Sequence, residues 1–399
     1  MSKLAAPLAV FGAVLVAMVA LNHGATAPPA PAAERGPDYA ALGNTYLARA
    51  RETGDPAFYT RADRAFSLAL RTDPASIDGL VGAGTLAGTR HDFAEQLRLG
   101  TEARKAAPDL ARPLTVVADA EVELGRYREA GRTIQRLVDS KPGLPAYARV
   151  SYYRELHGDL AGAVSAMRYA VSAGSSEEGT AYVETLLGDL ELMRGRVAAA
   201  SAAYRSALRD LPSYPQALTG LARIDAARGA LRSAAARLRR STDRLPLTSA
   251  LTLLAEVEAG LGNRRAAAAD LAAARVQHAL LRRSRTLPDA EAVLFEANHG
   301  SPERAVALGR RVWRLAPSIR SADALGWALT RAGRARAGLA WTRRALRTGS
   351  VDPSFRLHAG VSALRSGRRR EAERYLTAAV RGAVALSPSA QRLLEEARS

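Results

Sequence analysis

Small and apolar residues in the stretch 187–212 are spaced as in two packed helices. A leucine–glycine pair begins the first segment, a glycine interrupts it, and alanines lie four positions before and three after a tyrosine. Small residues let two helices approach closely, the aromatic ring fills the gap between pairs, and glycine and proline end helices. The pattern therefore predicts two short helices joined by a turn, carried by Leu187, Gly188, Gly195, Ala200, Tyr204, Ala207 and Pro212.

Prolines and glycines that end helices recur along the chain with a spacing of 34 residues. One helix pair cannot bury its apolar face alone, so a stable chain needs neighbouring pairs stacked on it. No run shows the alternation of β-branched residues that predicts a strand. The sequence thus favours an elongated helical array over a single globular core, and its markers are Pro74, Pro108 and Pro142, Pro212 and Pro246, and Gly195 and Gly229.

These motifs resemble the tetratricopeptide repeat (TPR), a family of helix-pair repeats. The resemblance covers residues 38–384 and implies an all-α, right-handed superhelix (α-solenoid) of about ten helix pairs. Residues 385–399 are expected to form a capping helix at the end of the stack. If the register is right, Tyr204, Phe66 and Met167 should be buried between adjacent pairs.

The amino terminus contains an uncharged apolar run, residues 4–21, preceded by a lysine. We interpret residues 1–21 as a signal-anchor or a signal peptide, and the Ala/Pro-rich residues 22–37 as a linker. Pro28 follows the small-x-small pattern of residues 25–27 and disfavours cleavage there, so we favour a retained transmembrane helix. The positive charge before the run predicts a membrane-anchored protein with its repeats outside the cytoplasm. Cleavage would instead give a secreted soluble scaffold.

Positive charge is concentrated in the second half of the chain. Residues 1–227 contain 25 basic and 25 acidic side chains, whereas residues 228–399 contain 32 basic and 14 acidic ones. The whole net charge of +18 therefore lies beyond residue 227. Nearly all the basic residues are arginine, and the codon bias of a GC-rich genome explains that preference but not its uneven placement.

The sequence offers no recognisable catalytic or cofactor site. There is no cysteine, which excludes disulfides, thiolate metal sites and cysteine nucleophiles. The six histidines show no metal-ligand spacing. Residues 82–87 fit a loose dinucleotide fingerprint, but they fall inside a predicted helix rather than in a βαβ unit. We therefore expect a non-enzymatic protein with no catalytic residue, cofactor or metal ligand.

The TPR resemblance implies a concave groove, lined by the first helix of each pair, that holds an extended or helical segment of a protein partner. The family's lysine and asparagine clamp for a partner's carboxylate is not reproduced, so the identity of the partner stays open. The helix period places candidate contacts on the face opposite the second helix. These groove residues are Tyr152, Glu155, Thr185, Asp189, Leu192, Thr219, Arg223, Thr252, Glu256, Asp323, Trp327 and Thr330.

Arginines of the second half concentrate on the second helices, which the resemblance places on the convex wall. The alternative partner is therefore an anionic component of the cell envelope, whereas nucleic acid is not expected. A solvated face without a ligand explains the same pattern. The basic convex residues are Arg237, Arg239, Arg240, Arg282, Arg283, Arg310, Arg311, Arg343, Arg344, Arg369 and Arg370.

Overall fold

The computed structural model describes residues 38–174 and 176–399, and within them the chain forms 21 α-helices and no strand. The predicted all-α fold class is confirmed. No helix in these ranges is long and apolar enough to cross a bilayer. The predicted signal-anchor (residues 1–21) and linker (residues 22–37) lie outside the described residues. Membrane attachment and a location outside the cytoplasm stay predictions from the sequence.

Twenty of these helices form ten packed pairs, here called units one to ten, and each unit contacts the next. Units one to five comprise α1 (Tyr39–Thr53), α2 (Ala57–Thr72), α3 (Ile77–Thr89), α4 (Phe93–Ala106), α5 (Ala111–Glu123), α6 (Tyr127–Ser140), α7 (Leu144–Leu156), α8 (Leu160–Ser172), α9 (Glu177–Met193) and α10 (Val197–Asp210).

Units six to ten comprise α11 (Pro215–Ala227), α12 (Leu231–Arg244), α13 (Thr248–Gly260), α14 (Arg264–Arg283), α15 (Ala290–His299), α16 (Pro302–Leu315), α17 (Ile319–Arg331), α18 (Ala335–Ala345), α19 (Pro353–Arg365) and α20 (Arg369–Val380). A short 3₁₀ turn, Ala383–Ala385, and a final helix α21, Pro388–Arg398, follow the last unit.

Large side chains of the second helices fill the gaps between units. Tyr204 of α10 is fully buried against Gly188 of α9 and Gly220 of α11. A β-carbon at either glycine would overlap the tyrosine ring, so these first helices need glycine there. Phe66 and Met167 take the corresponding places in units one and four, and both are buried. The predicted repeat register is therefore confirmed.

The superhelix is wound so tightly that its second turn contacts its first. The backbone N–H of Ile319, the first residue of α17, donates to the Tyr127 hydroxyl at 2.8 Å, across 192 residues of sequence. Thr348 Oγ1 donates to the carbonyl oxygen of Leu156 at 2.6 Å, again across 192 residues. We call this line of contacts the seam. Along it, the turns inside units one to five meet the connections that follow units six to ten.

Glycines at the turns inside units three to five permit the close approach at the seam. Gly125, Gly158 and Gly195 have φ of 67°, 81° and 72°, in the left-handed region that favours glycine. A β-carbon on Gly125 would overlap the carbonyl oxygen of Pro317, and one on Gly195 would lie 2.6 Å from that of Arg381. The seam thus requires glycine for a steric reason as well as for the turn conformation.

Candidate functional site

The first helices form the inner wall of the superhelix, and this wall is buried rather than open. Within the described residues this conformation has no accessible groove of the kind that the sequence predicted, and first helices of both turns meet around a small cavity. Of the predicted groove residues, only Glu155 is more than slightly exposed. The buried members are Tyr152, Thr185, Asp189, Leu192, Thr219, Arg223, Thr252, Glu256, Asp323, Trp327 and Thr330.

A buried ion pair joins the first helices of units three and four. The guanidinium of Arg149 on α7 binds Asp119 on α5 through two hydrogen bonds, Nε to Oδ1 at 2.8 Å and Nη2 to Oδ2 at 2.6 Å. A third bond runs from Nη1 to the carbonyl oxygen of Pro145 at 2.9 Å. The two side chains are only 2% and 3% exposed, so each charge depends on the other for compensation.

A second polar contact joins units five and six. Asp189 on α9 accepts a hydrogen bond of 2.6 Å from the Tyr204 hydroxyl, and Arg223 on α11 lies 3.5 Å from the same oxygen. Burial raises the pKa of Asp189, and the neighbouring Arg223 charge opposes that rise. Two of the predicted groove residues therefore bind each other instead of facing an open groove.

Trp327, which the sequence placed in the groove, is a core residue. Its indole Nε1–H donates to Asn298 Oδ1 at 2.9 Å, and its ring stacks on His358 with 4.4 Å between the centroids. The Nδ1 atom of His358 lies 2.8 Å from Asp323 Oδ2. These contacts tie α15, α17 and α19 together. In this conformation Trp327 has no exposed surface to offer a partner.

A cavity of about 20 Å³ lies on the axis, between α7 and α9 of the first turn and α15, α17 and α19 of the second. That volume holds about one water molecule. Four carboxyl groups line it together with a single guanidinium, which lies 3.5 Å from the Tyr152 hydroxyl. The charged residues of the lining are Glu155, Glu291, Arg320, Asp323 and Asp352.

The environment of the cavity raises the pKa of Glu155, Glu291 and Asp352. Burial raises the pKa of Glu155 well above its ordinary value, and it raises that of Asp352 as well. Burial and the charge of Asp289 raise the pKa of Glu291 to about 8, although Arg320 opposes the rise. Within the described residues no group of three or more histidines or carboxylates is arranged to hold a metal ion. Carboxyl groups with raised pKa values therefore lie between residues of the two turns.

Replacing Glu291 by glutamine should flatten the pH dependence of stability. The folded chain keeps a proton on Glu291 between the ordinary pKa of 4.5 and about 8, whereas the unfolded chain loses it. Stability should therefore fall as pH rises through this window, by up to about 1.4 kcal/mol per pH unit for one proton. Urea midpoints measured across the window would show a shallower slope in Glu291→Gln. The exposed Glu373→Gln variant should keep the original slope, and an unchanged slope in Glu291→Gln would contradict the assignment.

Sequence reasoning missed Glu291, Arg320 and Asp352. Glu291 lies in unit eight, where the repeat motif is degenerate. The helix period therefore could not show which side of its helix Glu291 occupies. Asp352 could have been found as a helix cap, because an aspartate directly before a proline and a serine is a typical helix start. Its Oδ1 indeed accepts the N–H of Ser354 at 2.7 Å. No local signal shows that these groups meet residues of the other turn.

The end of the chain covers part of the inner wall. The 3₁₀ turn packs on α9 and α11, while α21 packs on α13 as well as on unit ten. The backbone N–H of Ser389 donates to Glu256 Oε2 at 3.2 Å, across 133 residues of sequence. Leu386 and Leu393 are buried in the same apolar cluster as Leu251 of α13. Residues 383–398, here called the C-terminal segment, therefore cover first helices of units five to seven in addition to capping the last unit.

The basic convex residues lie on the second helices α12, α14, α16, α18 and α20, and all except Arg237 are exposed. Arg237, Arg239 and Arg343 form ion pairs with acidic side chains. Arg344 lies 4.7 Å from the ring centroid of Trp313. Binding of an anionic ligand by this face stays a prediction. Its members with neither an ion pair nor a ring contact among the described residues are Arg240, Arg282, Arg283, Arg310, Arg311, Arg369 and Arg370.

No protein-family model and no curated protein matches the chain. Among solved structures, the Cut9–Hcn1 hetero-tetramer of the APC/C matches with a TM-score of 0.38 and 16% identity, over 86% of this chain and 59% of that one. A dimer of human IFIT1 with PPP-AAAA matches with a TM-score of 0.47 and 14% identity, over 74% and 69%.

The TPR domain of P58(IPK) matches with a TM-score of 0.26 and 14% identity, over 81% of this chain and 99% of that one. The chain thus spans less than two thirds of the Cut9–Hcn1 chain that it matches. At these identities and TM-scores the likenesses say nothing about the activity or partners of this chain. The chain is an α-solenoid of helix pairs.

Proposed function

We propose that the chain is a non-enzymatic protein-interaction scaffold whose inner wall binds a segment of another polypeptide. The observation that carries the proposal is the C-terminal segment, which packs on α9, α11 and α13 from within the same chain. The first helices therefore already accept a polypeptide with a short turn and an amphipathic helix. A partner segment with a similar pattern would take the same place when the C-terminal segment leaves.

The contact between Glu256 and Ser389 gives this wall a polar anchor. Glu256 Oε2 accepts the backbone N–H of Ser389, while its Oε1 has no hydrogen-bond partner in the described part of the chain. Burial raises the pKa of Glu256, and the serine hydrogen bonds oppose the rise. A backbone N–H at the start of a helix is a donor that any incoming helical segment can offer. The wall can therefore bind segments that differ in sequence.

A labelled peptide with the sequence of residues 383–399 would test this proposal on the full-length chain. Leu393→Ala removes a buried side chain of the chain's own segment and should free the wall. We expect the peptide to bind this variant at least about tenfold more tightly than the wild type, because less of the wall is occupied in competition. Fluorescence anisotropy measures both affinities.

Two further substitutions on α13 compare a residue that contacts the C-terminal segment with one that lies elsewhere on the same helix. Adding Glu256→Gln to Leu393→Ala should weaken peptide binding about tenfold, because a charged acceptor becomes a neutral one. Adding Glu258→Gln instead should leave it unchanged, since Glu258 binds Arg239 and Asn263 away from the wall. Absence of peptide binding to the Leu393→Ala chain, or an equal loss in both double variants, would refute the proposal.

A further inference from the structure

The second turn of the superhelix ends in an edge that no described part of the chain covers. The turns inside units one to five are covered at the seam by the second turn, whereas no other turn of the superhelix covers the equivalent turns of units six to ten within the described residues. A β-carbon at Gly229, Gly262, Gly333 or Gly367 would meet no described atom within 4 Å. We call this edge the open rim, and it consists of residues 228–232, 261–265, 300–304, 332–336 and 366–370.

The open rim is far more basic than the covered edge. It contains ten arginines and a single acidic residue, Glu303. The covered edge of units one to five, of equal length, contains five arginines and three aspartates in residues 54–58, 90–94, 124–128, 157–161 and 194–198. Codon bias acts on both edges alike, so it does not explain the difference.

Nine of the rim arginines form no ion pair with any described residue, and all nine are exposed. The tenth, Arg304, binds Glu296. Unpaired guanidinium groups offer planar sets of donors that fit phosphate oxygens in pairs. The nine are Arg228, Arg232, Arg264, Arg265, Arg334, Arg336, Arg368, Arg369 and Arg370.

The rim lacks the features with which proteins bind single-stranded nucleic acid. It has no aromatic residue on which a base could stack. Its arginines lie on five successive turns along an exposed edge rather than inside a groove. An exposed leucine, Leu364, lies beside the turn of unit ten, 38% exposed and next to Arg365. Basic residues with an exposed apolar side chain are typical of proteins that lie on a membrane surface.

We propose that the open rim binds a membrane surface rich in anionic phospholipid. The rim then rests on the headgroups, and the superhelix axis points away from the bilayer. The interaction goes beyond the scaffold role and does not depend on the inner wall. It also differs from the predicted convex face, because only Arg369 and Arg370 belong to both sets of arginines.

Sedimentation of the full-length chain with vesicles tests the proposal. Vesicles of phosphatidylcholine alone measure any binding through the amino terminus, and vesicles that add phosphatidylglycerol measure the anionic contribution. The rim variant Arg265→Gln, Arg334→Gln, Arg336→Gln, Arg368→Gln should weaken the anionic contribution to binding on the order of a thousandfold, the combined effect of four arginines near an anionic surface. Wild-type binding to the anionic vesicles should also weaken as salt is raised.

The matched control removes the same charge from the convex face, with Arg240→Gln, Arg283→Gln, Arg310→Gln and Arg311→Gln. All four residues are exposed and unpaired among the described residues, and none belongs to the rim. This variant should bind anionic vesicles almost as the wild type does, and circular dichroism should show both variants folded. An equal loss in both variants would overturn the proposal. So would wild-type binding that ignores phosphatidylglycerol, or binding to a single-stranded RNA oligonucleotide without binding to vesicles.

Discussion

Replacing Gly158 by alanine is expected to break the seam, whereas replacing Gly333 should leave it intact. Both glycines have left-handed φ, 81° and 77°, so alanine costs each turn a similar backbone penalty of about 1–2 kcal/mol. A β-carbon at position 158 also overlaps the carbonyl oxygen of Gly349, which is backbone and cannot rotate away. At position 333 it meets no described atom within 4 Å. The difference in stability between the two variants therefore measures the contribution of the seam contacts.

Gly158→Ala should lower the free energy of unfolding by about 1–3 kcal/mol more than Gly333→Ala does, which is the usual cost of overpacking. Urea denaturation measures the stability of both variants, and small-angle X-ray scattering measures their radius of gyration. A superhelix that relieves the overlap by opening would show a larger radius in Gly158→Ala alone. Equal stabilities together with equal radii would show that the contacts between the turns contribute little.

Removing one partner of the buried Asp119–Arg149 pair should destabilise the chain by about 3–5 kcal/mol, because the other charge stays buried without compensation. Asp119→Ala leaves the Arg149 guanidinium buried without its carboxylate. Asp78→Ala is the matched control, since Asp78 and Arg112 form a pair with the same 2.6 Å separation but are 58% and 36% exposed. The control should lose less than about 1 kcal/mol.

Urea midpoints compare the two aspartate variants directly. Replacing both partners of the buried pair, as Asp119→Leu with Arg149→Met, should recover most of the loss, because no charge is then left unpaired. If Asp78→Ala and Asp119→Ala lowered the free energy of unfolding equally, burial of the pair would not be the source of the destabilisation.

The helix pairs and their register could be predicted because their determinants are local. Glycine and proline end helices wherever they occur, and the fit of Tyr204 between Gly188 and Gly220 repeats in sequence at the period of the units. The same alignment correctly placed the eleven predicted convex arginines on second helices. These features need no knowledge of how distant units lie relative to each other.

The winding of the superhelix could not be predicted in the same way. It accumulates from small rotations between neighbouring units, and no single residue specifies them. The predicted groove positions were therefore assigned to the correct helices but to an open surface that this conformation lacks. One signal was available, namely complementary polar residues about one unit apart on first helices, as in Asp189 with Arg223 and Asp323 with His358.

The seam also changes how the chain should fold. In a linear array each repeat touches only its neighbours, so contacts stay local in sequence and short stretches can unfold independently. The seam adds contacts across 192 residues, which raises the contact order and slows folding. During synthesis units one to five form first, yet the edge that the seam covers stays exposed until units six to ten have followed. The two halves should consequently gain their full stability together, as one cooperative unit.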